Sequence, residues 1–424
     1  MAPAQRIVTT MTSEVVTTRK APSVYEAGLP SVAYQHLHDP LEAHRAIAEA
    51  RRQSPIAIGA HAPEVLSYEL VRTVLRDDRF VTARGLGLDL QGVTSGPLWD
   101  RAVANILSLD GEAHHRIRRL VSKAFAPRGA ERLRSLAGQI VTELVDPLTV
   151  VGHCDVVTDI ARRYPTPVIC ALLGAPRRDW DLFSRWVDDI KKLFEWNVAE
   201  DGPAILAAWD QLDAYLEEMI ARRRHTLTDD LISELIRAED EGSRLTHDEL
   251  LMLAATLLGA GTDTTRNQLA AAVQALADHP DQWRLLAQHP ELAGNAVHEL
   301  MRYCPVIFGS ARIAAQDVEL GGVTIPAGTM VAANTAAANR DPAVYQDPDR
   351  LHITRSDPPP MLTFGGGTHY CLGSHLARLE LAEALRVITR RMPNPRRTGP
   401  APWPAMNGIT GPTTVPIAFE PCRS

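Results

Sequence analysis

The run Phe364-Gly365-Gly366-Gly367-Thr368-His369-Tyr370-Cys371-Leu372-Gly373 is the most informative stretch of this 424-residue chain. Its four glycines remove Cβ atoms where a flat group must approach the backbone closely. A helical pattern follows at once, with leucines at 376, 379, 381 and 385 among arginines and glutamates. Cys371 is therefore predicted at a helix N-terminus, where free N–H groups and the helix dipole favour a thiolate.

A thiolate beside an open glycine surface suits an axial haem ligand, whereas the alternative is a buried cysteine next to a glycine-rich turn. The run resembles, with no departure, the haem-binding signature of the cytochrome P-450 family, Phe-Gly-x-Gly-x-His-x-Cys-x-Gly. The resemblance covers about Ser31 to Phe419 and implies a mainly α-helical P-450 fold with small β-sheets around a buried haem b. It implies that Cys371 is the iron ligand. It also implies that four other residues of the run bind the cofactor: Phe364, Gly365, His369 and Gly373.

The composition excludes several other classes of protein. Hydrophobic residues make up 45%, enough for a large core, and no apolar stretch is long enough to span a membrane. A net charge of −7 gives no reason to expect nucleic acid. Five scattered cysteines without a Cys-x-x-Cys pair argue against a disulfide framework or a zinc site, and favour the cytoplasm.

We expect residues 1–30 to form a flexible tail and residues 31–424 to form a single domain. The tail lacks the compact apolar core of a secretory signal, a mitochondrial-type transit peptide is the weaker alternative, and Met11 is a possible true start. Amphipathic or apolar periodicity predicts the helices 41–52, 115–125, 248–277 and 290–302, with two more between 178 and 224 divided near 197–203. Short strands are predicted at 56–58, 318–320 and 323–325, and an ordered loop region at 341–360.

A second motif, Ala260-Gly261-Thr262-Asp263-Thr264-Thr265, lies inside the predicted long helix. Glycine there costs about 1 kcal/mol relative to alanine, so its presence needs a reason. The Thr264 hydroxyl can bond a carbonyl one turn back, while the alternative interpretation is a helix boundary with an N-cap. By resemblance the segment is the acid–alcohol motif on the distal haem face. Asp263 and Thr264 are then the catalytic proton relay, and Ala260 contacts the cofactor.

Glu299 and Arg302 are three residues apart and therefore adjacent on a helix. On the protein surface such an ion pair would contribute little to stability. With the later segment 339–342 it resembles the family's Glu-x-x-Arg helix, so we assign Glu299 and Arg302 to holding the cysteine loop rather than to chemistry. Leu351 and His352 depart from the family, which usually carries Phe and an acid there.

Haem propionates require cations or strong donors. His114 and Arg118 lie one helical turn apart and resemble the family's His-x-x-x-Arg clamp, although Gly111-Glu112-Ala113 replaces the common Pro-Pro-Glu. Arg312 and His369 match the other usual partners. The alternative for each residue is an ordinary solvated charge.

The resemblance implies a soluble bacterial-type monooxygenase that inserts one oxygen atom of O₂ into an apolar or amphipathic substrate. It receives electrons from a ferredoxin reduced by an NAD(P)H-dependent reductase. Basic residues at 116, 119, 123, 128, 378 and 386 are the predicted ferredoxin patch. Alternatives are a peroxide-driven or coupling haem-thiolate enzyme, and a non-catalytic haem sensor. The substrate pocket is expected from five segments: 85–103, 192–203, 256–260, 306–310 and 407–410.

Overall fold

A computed structural model describes residues 21–240 and 245–421. Helices dominate both ranges, which confirms the mainly α-helical class. They are α1 (Pro40–Gln53), α2 (Tyr68–Val74), α3 (Pro97–Ala104), α4 (Gly111–Phe125), α5 (Pro127–Glu131), α6 (Arg134–Val151), α7 (Pro165–Leu173), α8 (Trp180–Ile190), α9 (Val198–His225), α10 (Leu231–Asp240), α11 (His247–Ala277), α12 (Pro280–Gln288), α13 (Ala293–Tyr303), α14 (Thr335–Ala338) and α15 (Ser374–Arg391).

The strands are short and form small sheets. They are β1 (Ile56–Ile58), β2 (Pro63–Val65), β3 (Phe80–Thr82), β4 (His153–Asp155), β5 (Ser310–Ala314), β6 (Val318–Leu320), β7 (Val323–Ile325), β8 (Met330–Ala333), β9 (Arg396–Arg397) and β10 (Pro416–Ala418). The sheets have the orders β1-β2-β8-β5-β3, β4-β10-β9 and β6-β7. Pairing is antiparallel except between β2 and β8, where Glu64 is opposite Ala332.

Helix α11 forms the centre of the helical core. A capping box starts it: Thr246 accepts from the Glu249 backbone N–H while the Glu249 side chain accepts from the Thr246 N–H. Its last two turns are buried all round, as expected for a helix that packs against α7, α8, α9 and α15. At 31 residues α11 is long, but neither it nor another helix of the two described ranges is apolar enough to cross a membrane.

Local patterns predicted several elements with their bounds. Strands β1, β6 and β7 coincide with the predicted strands, and the turn between β6 and β7 uses positive φ at Gly321 and Gly322. The sequence predicted that the two helices between 178 and 224 are divided near 197–203, and this boundary is corrected. Helix α9 already begins at Val198, and Pro203 lies inside it. Because Pro203 is in the second turn, most of the helical hydrogen bonds lie beyond it and α9 continues.

Residues 21–30 differ from the predicted tail. Val24 is buried, its N–H donates to the Thr324 carbonyl at 2.9 Å, and the Thr324 N–H donates to Pro22 at 2.8 Å. This segment therefore pairs with β7. The rest of the predicted tail, residues 1–20 with Met11, lies outside the described residues.

Candidate active site

The loop that carries Cys371 is fixed by its own backbone. The Cys371 N–H donates to the Phe364 carbonyl at 2.9 Å. Gly367 has φ 64°, and a Cβ atom there would lie 2.5 Å from the Leu75 carbonyl oxygen, so a larger residue would displace the loop. A Cβ on Gly373, in contrast, would meet no atom within 4 Å. The backbone beside Cys371 thus presents an open surface.

The Cys371 side chain retains accessible surface although protein atoms crowd around it on several sides. Burial raises the pKa of this thiol, while the Gly373 backbone N–H and the guanidinium groups of Arg118 and Arg378 lower it by less. The helix terminus therefore acts in the predicted direction, but burial outweighs it, and the pKa of the free thiol is raised rather than lowered. Coordination to a metal deprotonates such a thiol outright.

Two arginines flank the cysteine loop. Arg118 donates to the Tyr370 carbonyl. Arg378 stacks over the Phe364 ring, with its Cζ 4.5 Å from the ring centroid, and its Nη2 donates to the Tyr370 hydroxyl at 3.2 Å. The sequence pattern predicts Arg378 in the ferredoxin patch. The structure places it against the cysteine loop instead, because the start of α15 positions its side chain over Phe364.

His114, His369 and Arg312 gather on one side of the loop. The ring centroids of His114 and His369 are 4.3 Å apart, and His369 Nε2 is 3.2 Å from Asp110 Oδ1. Asp110, the N-cap of α4, was not recognised as a site residue from the sequence. Arg312 lies on β5 with 5% of its surface exposed. Within the described ranges no carboxylate is close enough to pair with it.

These groups have unused capacity to bind an anion. His114 Nδ1 is buried without a hydrogen-bond partner. Burial, the neighbouring His369 and Arg118 lower the pKa of His114 to about 4, so the ring is neutral at neutral pH and can donate one N–H. Burial also lowers the pKa of Arg312, which nonetheless stays charged. A thiol, an open glycine surface and buried donors without anionic partners fit haem b with its two propionates.

Helix α11 passes through the acid–alcohol motif without a break, which rules out the helix boundary weighed from the sequence. The Thr264 hydroxyl donates to the Ala260 carbonyl at 2.9 Å, the back-bonding expected from the spacing. Thr262 makes the same bond to Leu258 at 2.9 Å. A side chain on residue 261 would clash with Ile169, since a Cβ atom there would lie 2.9 Å from the Ile169 Cγ1 atom.

Asp263 lies at the buried end of a chain of charged side chains that leads toward the surface. Its Oδ1 is 2.5 Å from an Arg266 Nη atom, and Arg266 also binds Asp188 on α8. Asp188 in turn pairs with the half-exposed Arg162 at 2.6 Å. Asn267 Nδ2 donates to Asp263 Oδ1 at 3.1 Å, whereas Asp263 Oδ2 has no partner. One carboxylate oxygen is thus fixed by Arg266 and Asn267, whereas the other makes no hydrogen bond within the described residues.

Glu299 and Arg302 form a bidentate buried pair on α13, with N–O distances of 2.7 and 2.8 Å. The second guanidinium edge donates to the carbonyls of Asn339 at 3.0 Å and Pro348 at 2.7 Å. Arg355 adds a second cation, with its Nε 3.2 Å from Glu299 Oε2. The sequence did not indicate Arg355, one of two arginines in the proline-rich loop 341–360.

The same cluster reaches the cysteine loop through Asn339. Asn339 Nδ2 donates to the Thr363 hydroxyl at 2.8 Å, and its Oδ1 accepts from the Leu362 N–H at 2.7 Å. Thr363 then donates to the Met301 carbonyl at 3.1 Å. Residues 362 and 363 immediately precede the run 364–373. The structure thus places Glu299 and Arg302 where they can support the cysteine loop.

The predicted pocket segments meet one another. Residues from 88–102 and 193–209 form one buried apolar cluster: Leu88, Leu98, Ala102, Leu193, Val198, Ile205 and Trp209. The turn at Gly408 packs on Phe194, and the Thr410 N–H donates to Val306 at 2.9 Å. Thr256 on α11 accepts from Asn105 Nδ2 at 2.8 Å, a partner that the sequence did not indicate.

The fold and this site define an enzyme that holds haem through a cysteine. Comparison with known proteins agrees: the Cytochrome P-450 family model matches residues 65–391. The mycinamicin IV hydroxylase/epoxidase of Micromonospora griseorubida is 42% identical over 367 residues, which are 85% of this chain and 90% of that protein. The luteothin monooxygenase of Streptomyces thioluteus is 38% identical, covering 88% and 92%.

A similar solved structure is that of CalO2, with a TM-score of 0.83 and 33% identity over 90% of this chain and 96% of that one. The chain belongs to the cytochrome P-450 family. It is a haem-thiolate monooxygenase, an oxidoreductase that uses haem b and incorporates oxygen from O₂ into an organic substrate. The relatives named here are hydroxylases and monooxygenases, so the peroxide-driven and sensor alternatives have no support from them.

Proposed function

We propose that this monooxygenase acts on a mostly apolar molecule with a few polar groups, and that Asp263 and Thr264 deliver the protons that its reaction consumes. The observation that carries the proposal is the unpartnered Asp263 Oδ2 beside Thr264 in an unbroken α11. Judged by their names, the two relatives described above act on mycinamicin IV and on luteothin. The apolar cluster suits the body of such a molecule, and the buried, unpartnered Asn407 Oδ1 and Thr410 hydroxyl suit its polar groups.

Haem bound through Cys371 supplies O₂ activation, because a thiolate ligand favours O–O cleavage. His114, Arg118, Arg312 and His369 hold the propionates. Arg266 fixes Asp263 Oδ1, so protons arriving from solvent bind at Oδ2. Thr264, when its hydroxyl leaves the Ala260 carbonyl, accepts a proton at Oγ1 and passes on its own. Tight apolar packing around the substrate excludes other water.

The test of the proposed reaction uses O₂ labelled with ¹⁸O. A compound library is first screened for the spin-state shift that substrate binding produces in the visible spectrum. Turnover of a hit with NAD(P)H, a surrogate ferredoxin and its reductase should place one labelled oxygen atom in the product. Unlabelled product formed only with added peroxide would contradict the proposal and favour the peroxide-driven alternative.

The relay is tested by Asp263→Asn and Thr264→Ala. Both variants should bind substrate normally, because neither side chain belongs to the apolar cluster. We expect Asp263→Asn to lower the rate of product formation by about 10²-fold, the usual contribution of a proton-transfer group. Thr264→Ala should release more peroxide per NAD(P)H consumed.

Thr262→Ala is the matched control. The Thr262 hydroxyl donates to the carbonyl four residues before it, as the Thr264 hydroxyl does, but its side chain lies on a different face of α11. It should keep the wild-type ratio of product to NAD(P)H. If all three variants gave that ratio, Asp263 and Thr264 would have no role in proton delivery.

We further propose that a ferredoxin, reduced by an NAD(P)H-dependent reductase, docks on exposed cations of α4 and α5. Arg119, Lys123 and Arg128 are exposed there, whereas Arg116 is bound to Glu249 and Arg386 pairs with Glu383 at 2.8 Å. Helices α4 and α5 contact α15, the helix that follows Cys371. The docking patch is therefore Arg119, Lys123 and Arg128.

The free cysteines Cys154, Cys170 and Cys304 support our assignment of the protein to the reducing cytoplasm.

Reversing two of these charges, in Arg119→Glu/Lys123→Glu, should slow reduction by ferredoxin about 10-fold or more at low salt, because electrostatic steering is lost. The difference from wild type should shrink as salt rises. Stopped-flow reduction under CO measures the rate. Arg45→Glu, an exposed cation on α1, serves as the control. Equal rates for the control and the double reversal at every salt concentration would place docking elsewhere.

A further inference from the structure

A cavity lies between α13, the segment 353–358 and the start of α15. Its volume is about 200 Å³, and its wall consists of Gly294, Asn295, His298, Glu299, Ile353, Arg355, Pro358 and Arg378. None of these residues belongs to the five segments expected to form the substrate pocket. Pockets for drug-sized molecules measure about 300–1,000 Å³, so this cavity suits a smaller ligand.

Positive charge prevails in the cavity wall. Within the described residues, Glu299 is the only carboxylate that lines it, and both of its oxygens are already bound by Arg302 and Arg355. Arg378 adds a further guanidinium group, so one committed carboxylate faces three cations. Burial and the charge of Arg378 lower the pKa of His298, so its ring is neutral at neutral pH and can donate one N–H.

Arg378 has most of its hydrogen-bonding capacity unused. A guanidinium group carries five N–H donors, and in the part of the chain that the structure describes Arg378 makes one hydrogen bond, from Nη2 to the Tyr370 hydroxyl at 3.2 Å. No carboxylate of that part pairs with it. Unpaired guanidinium groups with free donors bind carboxylates and phosphates by charge-assisted hydrogen bonds. The cavity therefore contains a cation that is available to an anion.

Arg378 also connects the cavity to the cysteine. Its Cζ lies 4.5 Å from the centroid of the Phe364 ring, and the Phe364 carbonyl accepts the Cys371 N–H at 2.9 Å. Tyr370, to which Arg378 donates, directly precedes Cys371. The charge of Arg378 is one of the groups that lower the pKa of Cys371, so its field reaches the sulfur. A cation placed there favours reduced iron, because reduction adds one negative charge to the site.

We propose that this cavity binds a small oxyanion, a carboxylate or a phosphate, and that the bound anion makes the haem iron harder to reduce. The anion accepts hydrogen bonds from Arg378 and His298 and offsets part of the Arg378 charge near Cys371. The proposal rests on the proposed function in that Cys371 ligates the iron. The cavity is thus a point at which a small anion controls the acceptance of electrons from ferredoxin.

This coupling has to be reciprocal. If the bound anion lowers the equilibrium constant for reduction by some factor, the reduced enzyme must bind the anion more weakly by the same factor. Coupling between two sites usually amounts to about 5- to 150-fold, and we expect the lower end because Arg378 is only half-buried. An anion bound elsewhere on the surface would not show this equality.

The experiment uses the haem-loaded enzyme, with sulfate as the tetrahedral probe and succinate as the carboxylate probe, at constant ionic strength. Isothermal titration calorimetry measures Kd for the oxidised and the reduced enzyme. Spectroelectrochemical titration measures the reduction equilibrium with and without each probe. At least one probe should bind saturably at one site, lower the equilibrium constant for reduction about 5-fold, and bind the reduced enzyme about 5-fold more weakly.

Two variants change the site in different ways. Arg378→Gln removes the cation, so it should lose anion binding and be harder to reduce without any anion. Asn295→Asp adds a carboxylate at an exposed position in the first turn of α13, where an acid is compatible with the helix. It should weaken anion binding and also be harder to reduce. Asn295→Asp keeps the test decisive if Arg378→Gln fails to retain haem.

Arg386→Gln is the matched control, because it changes the net charge as Arg378→Gln does. Arg386 lies about two turns further along α15, pairs with Glu383 at 2.8 Å and does not line the cavity. It should bind and respond to both probes as wild type does.

Three results would overturn the proposal: no saturable binding of either probe to wild type, wild-type Kd values in both Arg378→Gln and Asn295→Asp, or binding that leaves the reduction equilibrium unchanged. Because calorimetry and potentiometry require no turnover, none of these results affects the oxygen-labelling test of the proposed function.

Discussion

Cys371→Ala is expected to lose both monooxygenase activity and the far red-shifted Soret band that reduced haem-thiolate proteins give under CO. In our proposal the Cys371 thiolate ligates the iron and donates electron density to it, and alanine can do neither. Cys371→His should bind haem but shift the band to the position of nitrogen ligation. Difference spectra of the reduced protein with and without CO measure the outcome.

Cys154→Ala provides the matched control for the thiol. Cys154 is a buried cysteine on β4, and burial raises its pKa to about 12, so it stays a neutral thiol. This variant should retain the red-shifted band. A Cys371→Ala protein with that band would show that another residue ligates the iron.

Glu299→Gln should destabilise the protein by about 3–5 kcal/mol, because it leaves the buried guanidinium of Arg302 without its countercharge. Arg302 has no exposed surface, so water cannot replace the carboxylate. The loosened loop at 339–350 would also release Thr363 from its partners, and we expect lower haem content in the purified protein. Denaturant unfolding and haem quantification measure the two effects.

The control for Glu299→Gln is Glu69→Gln. Glu69 and Arg72 form a pair with the same spacing, at 2.6 Å, but both side chains are about half exposed or more. Removing it should change the free energy of unfolding by about 0–1 kcal/mol. Equal, small effects of both substitutions would mean that the buried pair does not hold the loop.

The Glu299–Arg302 pair also predicts an acid dependence of stability. Although burial alone would raise the pKa of Glu299, hydrogen bonds and charges from Arg302 and Arg355 lower it below its ordinary value. A carboxyl whose pKa is lowered on folding contributes stability above its unfolded pKa, and this contribution is lost as pH falls through the folded pKa. Wild type should therefore lose stability more steeply than Glu299→Gln below about pH 4.

Local sequence patterns predicted much of the helical framework. The apolar run from 248 to 277 predicted α11, and the amphipathic pattern from 115 to 125 predicted α4. Strands β2, β3, β5 and β8 were not predicted, because their pairing joins residues up to about 270 positions apart. For example, Glu64 pairs with Ala332, and no local pattern in three to five residues encodes such a partner.

The same division holds for the site. The sequence by itself determined the cysteine loop, the acid–alcohol pair and the Glu-x-x-Arg helix, because each is a short motif whose spacing carries its chemistry. Only the tertiary structure decided which charges remain free. It paired Arg116 with Glu249, placed Arg378 over Phe364 and gave Glu299 a second cation in Arg355. Whether a charge is solvated, paired or stacked depends on neighbours that packing brings from distant parts of the chain, and a motif contains only its own neighbours.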